Sequence, residues 1–215
     1  MIDSVEQRPG RYVQYGCGIS CPSMWLNFDA SPRLRLERIP LFGYLFRVQP
    51  VFPENVRYGD IVKGLPIADC SVDGVYASHV LEHLALHQCR VALRNTFKML
   101  RSGGIFRVVV PDLENLARLY LNRVASGDTK AAHWFMQATE LGLKQAELRD
   151  KVRAIWGLSK HLWMWDAQTL KSELEQTGFV GVRFCKFNDC TDGHFRLVED
   201  EHRFFGSCAF EARKL

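Results

Sequence analysis

A buried strand that gives way to a helix through a polar pair leaves a chain few folds to choose from. Residues 57–84, RYGDIVKGLPIADCSVDGVYASHVLEHL, read in this way. Val56 to Tyr58 is a short strand closed by Gly59-Asp60, and Leu65-Pro66 punctuates a polar turn. Val72 to Ser78 then alternates and runs apolar as a buried strand does. From His79 the apolar period becomes helical, with Val80, Leu81 and Leu84 on one side. Ser78 and His79 thereby fall at the carboxyl end of a strand, the edge where open α/β sheets bind ligands.

Upstream, Arg11 to Tyr15 is a short strand that runs into Gly16-Cys17-Gly18. Glycines after a strand permit positive φ and let a ligand come close to the backbone, although an ordinary turn uses them too. Trp25 to Ala30 is a second strand, and Asp29 near its end suits a ribose diol, because a carboxylate accepts from both hydroxyls. A turn or helix-capping aspartate is the plainer alternative. Only eight residues, Cys17 to Met24, separate Gly16 from this strand. A parallel crossover usually takes a dozen or more, most often as a helix, so that helix is missing or cut to one turn. The segment 33–53, rich in Arg, Leu and Phe, has room for a short amphipathic helix over the sheet edge left bare.

Downstream, Leu86 to Leu100 is an amphipathic helix, Ser102-Gly103-Gly104 stops it, and Ile105 to Val110 is another buried strand. Leu113 to Leu162 reads as helical and outside any sheet, with segments Ala131 to Leu143 and Ala146 to Trp156. It is either a lid over the pocket or a helical pair that only packs on the core. Asp166 N-caps a helix with Leu170 and Leu174 buried and Gly178 at its end. Val180 to Phe187 and Ser207 to Ala212 follow as an antiparallel pair of strands. With 215 residues, residues 1–215 are expected to form a single domain, 113–162 being an insertion. The net charge of +4 is scattered, which argues for a solvated surface and against a nucleic-acid partner. No apolar run reaches the ~18 residues of a membrane span, and the first residues are too polar for a signal peptide. An odd count of seven cysteines points to reduced thiols and a cytoplasmic protein.

The order Gly59-Asp60, Leu65-Pro66, Asp69, Ser71, Asp73, Val75 and Ser78 through Leu84 resembles the middle of class I S-adenosylmethionine (SAM) dependent methyltransferases. The stretches LRNTFKMLRSGGIFRVVVPDL, HLWMWDAQTLKSELEQTGF and SCAFEARK resemble later parts of that family, with Ser102 where a proline is usual. The short link after Gly18 resembles a subgroup with a reduced first glycine segment. The resemblance implies a Rossmann-like, mostly parallel α/β sheet with helices on both faces, a helical insertion and an antiparallel C-terminal edge strand. It implies S-adenosyl-L-methionine as cofactor, held by Gly16, Cys17, Gly18, Asp29, Asp60, Ile61 and Ser78. Asp29 would take the ribose and Asp60 the adenine amine. The implied reaction is methyl transfer to a small-molecule or sugar-like, glycan-type acceptor, at oxygen.

A hydroxyl acceptor must lose a proton. His79 and His161 are the candidate catalytic bases, since an imidazole titrates near pH 6.5. Trp134 and Trp156, with Arg118, Arg123 and Arg153, could wall an anionic or sugar acceptor. One alternative is a non-catalytic methyltransferase fold that serves as a binding or partner subunit, which the missing helix suggests. A second is a zinc-dependent hydrolase, because His79-x-x-Glu82-His83 matches H-x-x-E-H. The surrounding strand and acidic-glycine loop favour the methyltransferase, so no metal is expected. Cys185, Cys190 and His194 come without a C-x-x-C and add no zinc site.

Overall fold

A computed structural model describes residues 11–41, 43–46, 49–141 and 160–215. Seven strands form one sheet: β1 (Tyr12–Tyr15), β2 (Trp25–Asp29), β3 (Val56–Tyr58), β4 (Val72–Ser78), β5 (Leu100–Pro111), β6 (Val180–Phe184) and β7 (Ser207–Arg213). Their order is β3-β2-β1-β4-β5-β7-β6. The first five are parallel, and β7 runs antiparallel between β5 and β6. The helices are α1 (Pro32–Glu37), α2 (Leu86–Met99), α3 (Leu113–Ala125), α4 (Ala131–Ala138) and α5 (Ala167–Thr177).

Alternation along the strands builds two cores. Val13, Tyr15, Val75, Ala77, Phe106, Val108, Phe210 and Ala212 face one side, where Leu93 of α2 and Leu170 and Leu174 of α5 complete the packing. Tyr12, Tyr76, Ile105, Val109 and Ala209 face the other, under Cys185, Phe195 and Val198. That second face is covered by the segment after β6, which winds through two 3-10 turns, Gly193–Leu197 and Glu201–Phe204. It also buries charge. Arg107, 1% exposed, donates to Glu199 and, at 2.9 Å, to Glu211.

No helix lies between β1 and β2; residues 16–24 make turns. Their carbonyls are satisfied from the strands and beyond: Gln14 Nε2 donates to Ser20 O, Asn27 Nδ2 to Pro22 O and Asn55 Nδ2 to Cys21 O. Short α1 covers the bare edge as expected, burying Leu34 against Cys17, Phe52 and Val56.

Three expected boundaries move. The helix expected from His79 starts at Leu86: His79 has φ +55°, and 81–83 form only a 3-10 turn before Gln88 Oε1 accepts from Ala85 N at 3.1 Å. Ser102-Gly103-Gly104 does not end a helix but lies inside β5, which begins at Leu100. Helix α4 stops at Ala138, and the helix expected over 146–156, with Arg153 and Trp156, lies outside the described residues. Asp166 and Gly178 do cap α5: Asp166 Oδ1 accepts from Thr169 N at 2.7 Å, and Gly178 has φ +109°. Among the described residues no helix is long and apolar enough to cross a membrane.

Candidate active site

The loops that follow β1, β2, β3 and β4 meet along the carboxyl edge of the parallel strands. At the end of β1, Gly16 and Gly18 both hold positive φ, +66° and +54°. A Cβ on Gly16 would stand 2.2 Å from Val80 Cγ2, so this glycine makes room for the loop after β4. A Cβ on Gly18 would meet nothing within 4 Å, which leaves its backbone open to a ligand. Cys17 turns its side chain into the small core with Leu34, and burial pushes its thiol above the usual range. Its N donates to Phe28 O at 3.1 Å, so what it can offer a ligand is its carbonyl, which already accepts from Ser20 N at 3.1 Å.

Asp29 ties these loops together. Its Oδ2 accepts from Gly18 N at 3.0 Å and its Oδ1 from Ser31 N at 2.7 Å, while its carbonyl accepts from Gly59 N at 3.1 Å. A carboxylate has about four acceptor directions, so two remain for a diol. Asp60 caps the next turn, accepting from Val62 N at 2.9 Å, and keeps part of its carboxylate exposed. Open Gly18, anchored Asp29 and part-exposed Asp60 fit the cofactor that the sequence implies. Ile61 is a core residue, 4% exposed, and Ser78 is 5% exposed with its carbonyl taken by Arg203 Nη1. Neither presents a side chain at the surface.

The two histidines singled out by sequence come to the same place by different routes. His79 follows β4 directly. Its Nε2 lies 2.9 Å from Arg203 O and its Nδ1 lies 3.3 Å from Glu82 Oε1. Burial opposes its positive charge, but Glu82 and the Arg203 carbonyl outweigh this and raise its pKa above 6.5. Arg203 O thus holds the ring at Nε2 while Nδ1 faces the Glu82 carboxylate. His161 arrives because Leu162 N and Trp163 N both donate to Glu82 O, at 2.7 and 3.1 Å. Its ring stands 5.0 Å from that of His83, and its Nδ1 lies 2.9 Å from Thr139 O.

The hydrolase signature does not take its expected shape. Two zinc histidines one turn apart need an α-helix, and residues 79–83 form a left-handed residue and a 3-10 turn. The insertion's described arginines are also engaged: Arg118 with Glu114, Arg123 with Asp128 at 2.8 Å and over the Trp134 ring at 4.5 Å. Sequence reasoning missed buried Arg107 altogether, since IFRVVV reads as a plain apolar strand.

A parallel sheet with glycine and acidic loops at its carboxyl edge defines an α/β protein built to hold a nucleoside-bearing cofactor. A family model described as "Methyltransferase domain" matches residues 5–183, and the chain belongs to that family, the class I SAM-dependent methyltransferases. S-adenosyl-L-methionine is the family's methyl donor. Among solved structures, a SAM-dependent methyltransferase from Archaeoglobus fulgidus is 17% identical, with 95% of this chain and 86% of that one covered and a TM-score of 0.50. The CurJ carbon methyltransferase is 14% identical over 97% of this chain and 49% of its own, TM-score 0.50. PigF with SAH is 16% identical over 96% and 51%, TM-score 0.47. The chain thus spans about half the length of PigF and of CurJ, and these likenesses speak to the fold alone. No curated protein matches the chain by sequence.

Proposed function

We propose that the protein transfers a methyl group from SAM to a hydroxyl oxygen of a small-molecule or sugar-like acceptor. The bound cofactor supplies an activated methyl group, so the chain's main task is to hold the acceptor in line. Gly16, Gly18, Asp29 and Asp60 are the residues to hold the cofactor, with Cys17 through its backbone. The observation that carries the choice of oxygen is the gathering of titratable groups around Glu82. There the Thr139 carbonyl holds His161 by Nδ1 and leaves Nε2 to accept a proton. His79, held at Nε2 by Arg203 O and facing Glu82 with Nδ1, positions the loop. The described residues 113–141 of the insertion form the acceptor wall.

The turn-only link after Gly18 favours one second reading, a non-catalytic methyltransferase fold that serves as a binding or partner subunit, because it offers no helix N-terminus to the cofactor's carboxylate. A methyl-label assay over phenols, sugars and amines separates the two. The proposal expects label on oxygen, and a kcat about 100-fold lower or more in His161→Gln, with SAM affinity kept. Label on nitrogen or carbon, or normal turnover in His161→Gln, would overturn it. A folded protein with neither SAM binding nor transfer to any acceptor would support the subunit.

A further inference from the structure

Glu82 is fully buried, and neither of its carboxylate oxygens accepts a hydrogen bond among the described residues. A buried carboxylate is costly unless charge or donors meet it. Its neighbours include His79 Nδ1 at 3.3 Å and His83 Nε2 at 4.0 Å. Two imidazoles beside it are oriented alike. His83 Nδ1 lies 3.3 Å from Lys160 O, and His161 Nδ1 lies 2.9 Å from Thr139 O. A carbonyl only accepts, so each Nδ1 carries a proton and each Nε2 is the atom left to act as a ligand. One carboxylate oxygen and one nitrogen from each ring lie within 4.8 Å of one another. Facing lone pairs and a carboxylate repel unless positive charge sits among them.

We propose that Glu82, His83 and His161 bind one divalent transition-metal cation of the zinc type. Two imidazoles and a carboxylate suit zinc or cobalt better than magnesium or calcium. Backbone carbonyls on the far ring nitrogens are the usual support for metal-bound histidine. Donors on a tetrahedral cation stand roughly 3.5 Å apart, so the side chains close by about an ångström on binding. Glu140 Oε2, exposed at the rim and 3.8 Å from His161 Nε2, is within reach as a further ligand. The expectation of no metal came from the strand and acidic-glycine loop around the motif, and the zinc alternative it set aside used His79 with Glu82 and His83. The fold replaces His79 by His161, brought in through the carbonyl of Glu82 itself. A cation and an acceptor proton would use the same His161 lone pair, so the metal-bound and proton-accepting states of His161 exclude each other, and the metal test does not depend on the proposed proton transfer.

The test needs no turnover. Cobalt(II) is titrated into the full chain after chelator treatment, with visible absorbance and calorimetry as readouts, and zinc is then added in competition. The proposal expects one saturable cobalt per chain, displaced by zinc. Affinity should fall at least about tenfold in His161→Ala and in Glu82→Gln. Cys21→Ser, which removes a thiol 3.8 Å from Cys17, should bind as the wild type does. Circular dichroism checks each variant, and His83→Asn replaces any that does not fold. No saturable binding, equal affinity in His161→Ala, or loss in Cys21→Ser would overturn the site and leave His79 alone to balance Glu82.

Discussion

The glycine loop shows how two neighbouring residues of one type answer to different causes. Gly18 lies open, whereas Gly16 is needed by Val80, which comes from a loop far along the chain. Gly16→Ala should therefore destabilise the protein by about 1–3 kcal/mol, from a left-handed backbone with a side chain and from steric overlap. Adding Val80→Ala removes the overlap and should recover part of the loss, while the backbone cost of about 1–2 kcal/mol stays. Urea denaturation of the single and double variants measures this, and strictly additive losses would contradict the steric account. Gly16, Gly18 and Asp29 were legible in the sequence because strand ends mark themselves by turn chemistry. What each touches was not legible. The Asp29 oxygens bond Gly18 N and Ser31 N, and only the fold sets His161 beside Glu82.

Elements were read well where period and caps agreed, as in α5 between Asp166 and Gly178. They were misread where one backbone conformation interrupts a period. Val80, Leu81 and Leu84 keep helical spacing, but His79 at φ +55° and the 3-10 turn delay α2 to Leu86. Strand β5 hides the other surprise, since its alternation places Arg107 under the segment after β6. Around it the two carboxylates diverge. Burial raises Glu199 above its usual pKa despite Arg107. Burial also opposes the charge of Glu211, but Thr191, Arg183 and Arg107 outweigh it and hold its pKa below 4.5. A depressed carboxylate adds stability above its unfolded-state pKa and loses it as pH falls through the folded value. The stability gap between wild type and Glu211→Gln should thus be full at neutral pH and shrink only below about pH 4.5. Urea midpoints across that range measure it. A gap that closes between about pH 7 and 5 would instead show Glu211 to be protonated early.

For the molecule as a whole, the sheet order and antiparallel β7 place every cofactor candidate at one edge, as the family pattern implies. The insertion was less legible. Insertions outside a sheet carry no strand pairing to fix their place, and Arg118 and Arg123 spend their charge on neighbouring carboxylates. The central claim is that this edge holds the cofactor although no helix follows β1. Calorimetric titration of S-adenosylhomocysteine into the full chain tests it most directly. The account predicts one site per chain, weakened by about 1–3 kcal/mol in Asp29→Ala with the fold retained. A folded wild-type protein that binds no S-adenosylhomocysteine would contradict it.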